Sequence, residues 1–140
     1  MASVNAEALT YKGGSCGPGS GNDNHPCLVL YYNSNFGGAS AHFYGYYGIS
    51  NLAGINFPSN GSGGGTPVKN NAASAAFWNW LGGETAFIYY NSNYAGPCDA
   101  LREDESEQGI GASRLAATYN NNASIQVLPT LAYGDCVAWD

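Results

Sequence analysis

Charge is scarce in this sequence. Only 10% of its 140 residues are charged, against ~25% in ordinary soluble domains, and four are Lys or Arg. So few cations under a net charge of −6 leave no basic footprint for phosphates, which excludes nucleic acid as a partner. The acidic balance is compatible with a divalent cation. No apolar run approaches the ~20 residues of a membrane span. There are two histidines, His25 and His42, and neither belongs to a His-Glu-x-x-His zinc motif. A Gly-x-Ser-x-Gly elbow is also missing, so no enzyme is expected and no catalytic residue is assigned. Cys-x-x-Cys spacing is absent too, which argues against structural zinc. The glycine-rich stretch Asn60 to Pro67 has no Gly-Lys-Ser/Thr after it, so it reads as a flexible surface loop.

What fills the space left by charge is glycine (20), tyrosine (11) and asparagine, a composition that suits an all-β domain with many turns. Four cysteines in a short chain favour two disulfides and an oxidising compartment. Three pairings are possible; Cys16–Cys27 would close a Gly/Pro-rich loop and Cys98–Cys136 would tie the tail to the body. Met1-Ala2-Ser3 leads into a polar segment, as expected of a mature secreted chain carrying an added initiator methionine. A secreted monomer is the expectation.

The chain is organised around an octapeptide that occurs twice. Tyr31-Tyr32-Asn33-Ser34-Asn35-Phe36-Gly37-Gly38 returns 58 residues later as Tyr89-Tyr90-Asn91-Ser92-Asn93-Tyr94-Ala95-Gly96. Apolar runs, Leu28 to Leu30 and Ala86 to Ile88, precede the copies. Asn70-Asn71-Ala72-Ala73-Ser74 and Asn120-Asn121-Asn122-Ala123-Ser124 follow them. Two motifs repeated in order describe a duplicated unit. Each octapeptide predicts a hairpin, with Asn-Ser-Asn turning and glycine supplying positive φ. Residues Ile49 to Leu52 read as an irregular link. Trp78 and Trp80, two apart, share a strand face and read as core ahead of a ligand platform. Asp99 to Glu107, rich in acids, reads as a solvated loop unsuited to holding catalytic carboxylates rigidly.

Tyr31-x4-Phe36-x-Gly38 and Tyr89-x4-Tyr94-x-Gly96 resemble the aromatic-x4-aromatic-x-Gly signature of βγ-crystallin Greek keys. The resemblance implies a βγ-crystallin-like sandwich of two Greek-key motifs, residues 28–82 and 83–128. A disulfide-braced, loop-rich N-terminal extension (1–27) and a C-terminal tail (129–140) flank it. The Asn-Asn elements resemble the family's calcium motif, Asn/Asp-Asn/Asp-x-x-Ser/Thr-Ser, in which the final serine is structural. On that likeness Asn70, Asn71, Ser74, Asn120, Asn121 and Ser124 form a candidate calcium set. Its neutral ligands imply weak, extracellular-range affinity of ~10⁻⁴–10⁻³ M. The competing reading makes these asparagines turn formers.

The hairpin, together with Val68-Lys69-Asn70-Asn71-Ala72-Ala73-Ser74 and a cysteine-bearing N-terminal segment, is similar to secreted actinobacterial metallopeptidase inhibitors of crystallin fold. That likeness implies blockade of a secreted zinc endopeptidase by an exposed loop. Candidate loops are Cys16 to Cys27, Gly61 to Pro67, or the stretch after Cys98. Two alternatives stand beside it. One is a calcium-binding module with a structural or surface role. The other is a killer-toxin-like or antimicrobial protein, with Tyr44, Tyr46 and Tyr47 as a sugar-stacking or membrane-interface patch or as core packing.

Overall fold

Each octapeptide sits between runs able to pair, and the computed structural model shows them paired; it describes residues 10–11, 26–78, 82–104 and 109–140. Ten strands and no helix occur among these residues. The first sheet holds β1 (Thr10–Tyr11), β2 (Cys27–Asn33), β3 (Gly37–Tyr44), β5 (Ser74–Trp78) and β8 (Gly109–Ala112), in the order β1-β3-β2-β5-β8. The second holds β4 (Tyr47–Ile49), β6 (Glu84–Asn91), β7 (Ala95–Glu103), β9 (Ser124–Leu128) and β10 (Val137–Trp139), in the order β10-β7-β6-β9-β4. Each half therefore lends a short strand to the other sheet, β4 beside β9 and β8 beside β5. That exchange makes the two Greek keys one all-β sandwich.

The hairpins form as their residues require. Asn35 and Phe36 take φ of 58° and 60°, Asn93 and Tyr94 take 63° and 58°, and Gly38 and Gly96 take 75° and 85°. A Cβ on Gly96 would lie 2.5 Å from Asn91 Nδ2, so glycine is needed there for space as well as for dihedral angle. Along β3, Ala39, Ala41 and Phe43 point inward and alternate with half-buried Ser40, His42 and Tyr44. Leu28, Leu30, Phe77, Ile88, Leu101 and Ile125 meet them in a fully buried core. Leu52, Phe57, Val68 and Leu115 close it from the connections.

Several expectations need correction. Residues 47–49 form β4, with Ile49 opposite Ile125, so the irregular link expected from Ile49 begins at Ser50. The glycine-rich loop is strapped down: Ala39 N donates to Ser62 O at 2.8 Å, and Ser40 N donates to Asn60 Oδ1 at 3.0 Å. Gly63 lies so close under the Tyr32 ring that a Cβ would meet it at 2.2 Å. Asp99 to Glu103 is strand, with Asp99 and Glu103 fully buried, because both face inward beside Leu101. Trp78 leaves the core, since Phe77 takes the inward position of β5; Trp80 lies outside the described residues. The tail is held by a disulfide between Cys98 and Cys136, as expected, and also adds β10 parallel to β7. Cys27 is disulfide-bonded, while its expected partner Cys16 lies outside the described residues.

Candidate functional site

The repeated Asn-Asn elements meet at the junction of the halves. Asn70 and Asn120 both adopt left-handed backbone, φ 65° and 54°. Asn70 N donates to Asn122 O and Asn120 N to Ala72 O, each at 2.9 Å. The amides of Asn71 and Asn121 close their own turns on Pro67 O and Tyr119 O, at 2.9 and 3.1 Å. Asn122, which the motif reading passed over, is fully buried. Its Oδ1 accepts from Ala72 N at 3.0 Å, and its Nδ2 donates to Ala72 O at 3.0 Å and Thr118 O at 2.7 Å.

The two serines serve the hairpins. Ser74 Oγ donates to Asn33 O at 2.6 Å and accepts from Phe36 N at 3.0 Å. Ser124 Oγ repeats this with Asn91 O at 2.7 Å and Tyr94 N at 3.0 Å. Both are fully buried. Calcium needs six to eight oxygens at ~2.3–2.6 Å. Neither serine offers it a free hydroxyl, since each buried Oγ both donates and accepts within its hairpin.

Acidic groups line the inner face of β6 and β7. Glu84 and Glu103 stand directly opposite each other, 7% and 0% exposed. Tyr46 Oη donates to Glu84 Oε2 at 2.8 Å. Burial, then the hydrogen bond and charge of Glu84, push the Tyr46 phenol up to about 12. Burial likewise raises Glu84, partly offset by the Tyr46 bond. A carboxyl raised in the folded state binds its proton more tightly there. Its stabilising effect is present below the ordinary value near 4.5 and is lost as pH rises through the raised value. Glu84→Gln is therefore expected to raise the melting temperature at pH 7 and to shrink the gain on acidification. Melting scans from pH 4 to 8 check this; an unchanged pH profile would contradict it.

Tyr46 and Tyr47 pack together, with ring centroids 6.3 Å apart, while Tyr44 lies apart from them. Tyr44 joins Cys27, Val29 and Trp78 on the outer face of the first sheet, Tyr46 packs toward Glu84, and Tyr47 is 42% exposed.

The open feature lies elsewhere on that outer face. Among the described residues, Tyr31, Phe36 and Trp78 wall a groove of about 420 Å³ floored by Ala76 and by residues 109–111 of β8. Strand register places Ala76 opposite Gly111 and Trp78 opposite Gly109. A Cβ on Gly111 would lie 2.7 Å from Phe36 Cζ, and one on Gly109 would lie 2.7 Å from Trp78 Cδ1. The rings thus rest on bare backbone. Phe36 meets Tyr31 edge-on, with centroids 5.7 Å apart.

The second half supplies an internal comparison. There Tyr89 and Tyr94 pack edge-on at 5.9 Å, and a Cβ on Gly48 would lie 2.8 Å from Tyr94 Cε1. Counting from Ser74 and Ser124, however, Ala76 corresponds to Gln126 and Trp78 to Leu128. Gln126 lies opposite Gly48 and its Nε2 donates to Tyr89 Oη at 2.8 Å, filling the space that Ala76 leaves open. The halves share a scaffold, and only the first carries the groove.

No family model matches the sequence, and no curated protein does. Among solved structures, one described as "Evolution of the eye lens beta-gamma-crystallin domain fold" is 17% identical, covers 86% of this chain and 97% of that one, and superposes with a TM-score of 0.54. The N-terminal domain of protein S is 19% identical, over 76% of this chain and 99% of that one, with a TM-score of 0.52. The chain has the βγ-crystallin domain fold. At these identities the likeness concerns the fold alone.

Proposed function

We propose that the protein is a secreted, non-catalytic binding protein that takes its ligand on the outer face of the first sheet. The observation that carries this reading is the groove at Tyr31, Phe36 and Trp78, present in one half and filled by Gln126 in the other. A gap opened by replacing a bonded glutamine with alanine, and walled by replacing leucine with tryptophan, is a concave aromatic site of the size ligands use, ~300–1,000 Å³. The Cys98–Cys136 bond and the bonded Cys27 support secretion. The inward burial of Asp99, Glu84 and Glu103 supports a non-catalytic role, since it removes these acids from any solvent-facing substrate.

The inhibitor reading asks for an exposed, braced loop. Of its candidates, Gly61 to Pro67 is largely exposed and bonded against the first hairpin, which suits that reading, whereas the chain after Cys98 is strand as far as Glu103. Most of Cys16 to Cys27 lies outside the described residues. Stoichiometric inhibition of a thermolysin-class, serine or cysteine protease would restore that reading over ours. A killer-toxin-like role would act downstream of the same binding step.

Cosedimentation with insoluble bacterial and fungal cell walls tests the proposal. Wild-type protein is expected in the pellet, and Trp78→Ala in the supernatant. Loss of an aromatic wall worth ~1.4 kcal/mol weakens binding about tenfold. Equal pelleting of the two proteins would contradict it.

A further inference from the structure

We infer that the groove binds a neutral, β-linked polysaccharide, with a pyranose ring seated over Ala76 between the Phe36 and Trp78 side chains. This rests on the binding reading above and names its ligand class. None of the described residues around the groove is charged. The cations among the described residues are committed elsewhere: Lys69 to Asn51, Arg102 to Asp140, and Arg114 over the Tyr119 ring. A phosphate, sulfate or uronate would find no counter-charge in the groove, within a chain of net charge −6. A charged peptide would find no partner there either.

What the groove offers is aromatic surface, and its chemistry fits sugars. One face of a β-linked pyranose presents axial C–H groups, whose slightly positive hydrogens sit against the negative face of an aromatic ring. The sugar hydroxyls stay at the rim in water. Ile110 lies opposite inward-facing Phe77 and packs on the core, so among the described residues the Ala76 methyl is the aliphatic surface in the groove, too little to hold an acyl chain. The Tyr31 phenol, held up by burial, remains a neutral donor for a ring hydroxyl. The trough lies along β8, at the edge of its sheet. The walls are also pre-positioned. Phe36 is fixed by its left-handed backbone, by the Ser74 bond to its N–H and by Gly111 beneath it. Trp78 is fixed on Gly109. Rigid aromatic anchors lose little entropy on binding.

The test is calorimetric titration of the full chain with cellohexaose and with chitohexaose, followed also by tryptophan fluorescence. Wild-type protein is expected to bind at least one. Ala76→Gln, which copies the filled second half onto a site already built over a glycine, is expected to weaken binding tenfold or more while the melting temperature holds. Trp78→Ala should do the same, and Tyr90→Ala, on the exposed second hairpin, should bind like wild type. No heat from either sugar at millimolar concentration, or unchanged binding by Ala76→Gln, overturns the inference. Cell-wall pelleting that still depends on Trp78 while neither hexaose binds would discard the neutral glycan and keep the binding site. Pelleting independent of Trp78 would discard both.

Discussion

Asp99→Ala is expected to destabilise the protein by about 3–5 kcal/mol, because it takes the acceptor away from four donors at once. The carboxylate is completely buried on the inner face of β7, opposite Ile88. It accepts from Ala116 N at 3.2 Å, Thr118 N at 2.8 Å, Thr118 Oγ1 at 2.6 Å and Trp139 Nε1 at 3.0 Å. One side chain thereby holds the connection before the second Asn-Asn element and the C-terminal strand to the same point of the sheet. Alanine would leave those donors without an acceptor, at ~1–3 kcal/mol for each that stays dry. Urea unfolding followed by tryptophan fluorescence should show the midpoint falling with the slope unchanged. Asp99→Asn, which keeps an acceptor oxygen, should lose less. A loss below ~1 kcal/mol in the alanine variant would mean that water replaces the carboxylate.

Asn122→Ala is expected to cost about 2–4 kcal/mol, and calcium is expected to restore none of it. The amide makes three hydrogen bonds, and two of them cross to Ala72 in the other half. Its removal leaves a buried N–H and two carbonyls short of partners, each a penalty of ~1–3 kcal/mol before relaxation. With both serine hydroxyls spent on the hairpins, direct backbone and side-chain bonds join the two keys. A ligand of the folded state must raise its melting temperature by linkage. Melting curves of wild type and variant in millimolar calcium and in chelator should therefore superpose for each protein. A calcium-dependent rise in wild type that is absent from Asn70 or Asn120 variants would contradict this account.

The hairpins were legible because local chemistry decides them: Asn-Ser-Asn turns, and glycine takes the positive φ eight residues into each repeat. The Cys98–Cys136 pairing was legible for a similar reason, as it ties a repeat to the tail. The meaning of the Asn-Asn elements was less so. A pattern of residue types does not say which serine staples the hairpin; Asn33 and Phe36, some forty residues away in sequence, decide that. The acids of β7 looked solvated because hydrophilicity was read without partners, yet Asp99 is bonded to residues 17 to 40 positions away. Trp78 was read as core because tryptophan is large and apolar, and the inward place went to its neighbour Phe77. One sequence signal for the groove did exist. Aligning the halves on their serines sets Ala76 against Gln126 and Trp78 against Leu128, a loss of volume beside a gain of aromatic surface.

The measurement that tests the account most directly is residue-by-residue mapping by nuclear magnetic resonance, as soluble cell-wall oligosaccharides are added to the wild-type chain. The account predicts shifts confined to Tyr31, Phe36, Ala76, Trp78, Gly109 and Gly111. Shifts centred on Gly61 to Pro67, on the Asn70 and Asn120 elements, or on the matching face at Tyr89 and Gln126 would contradict it.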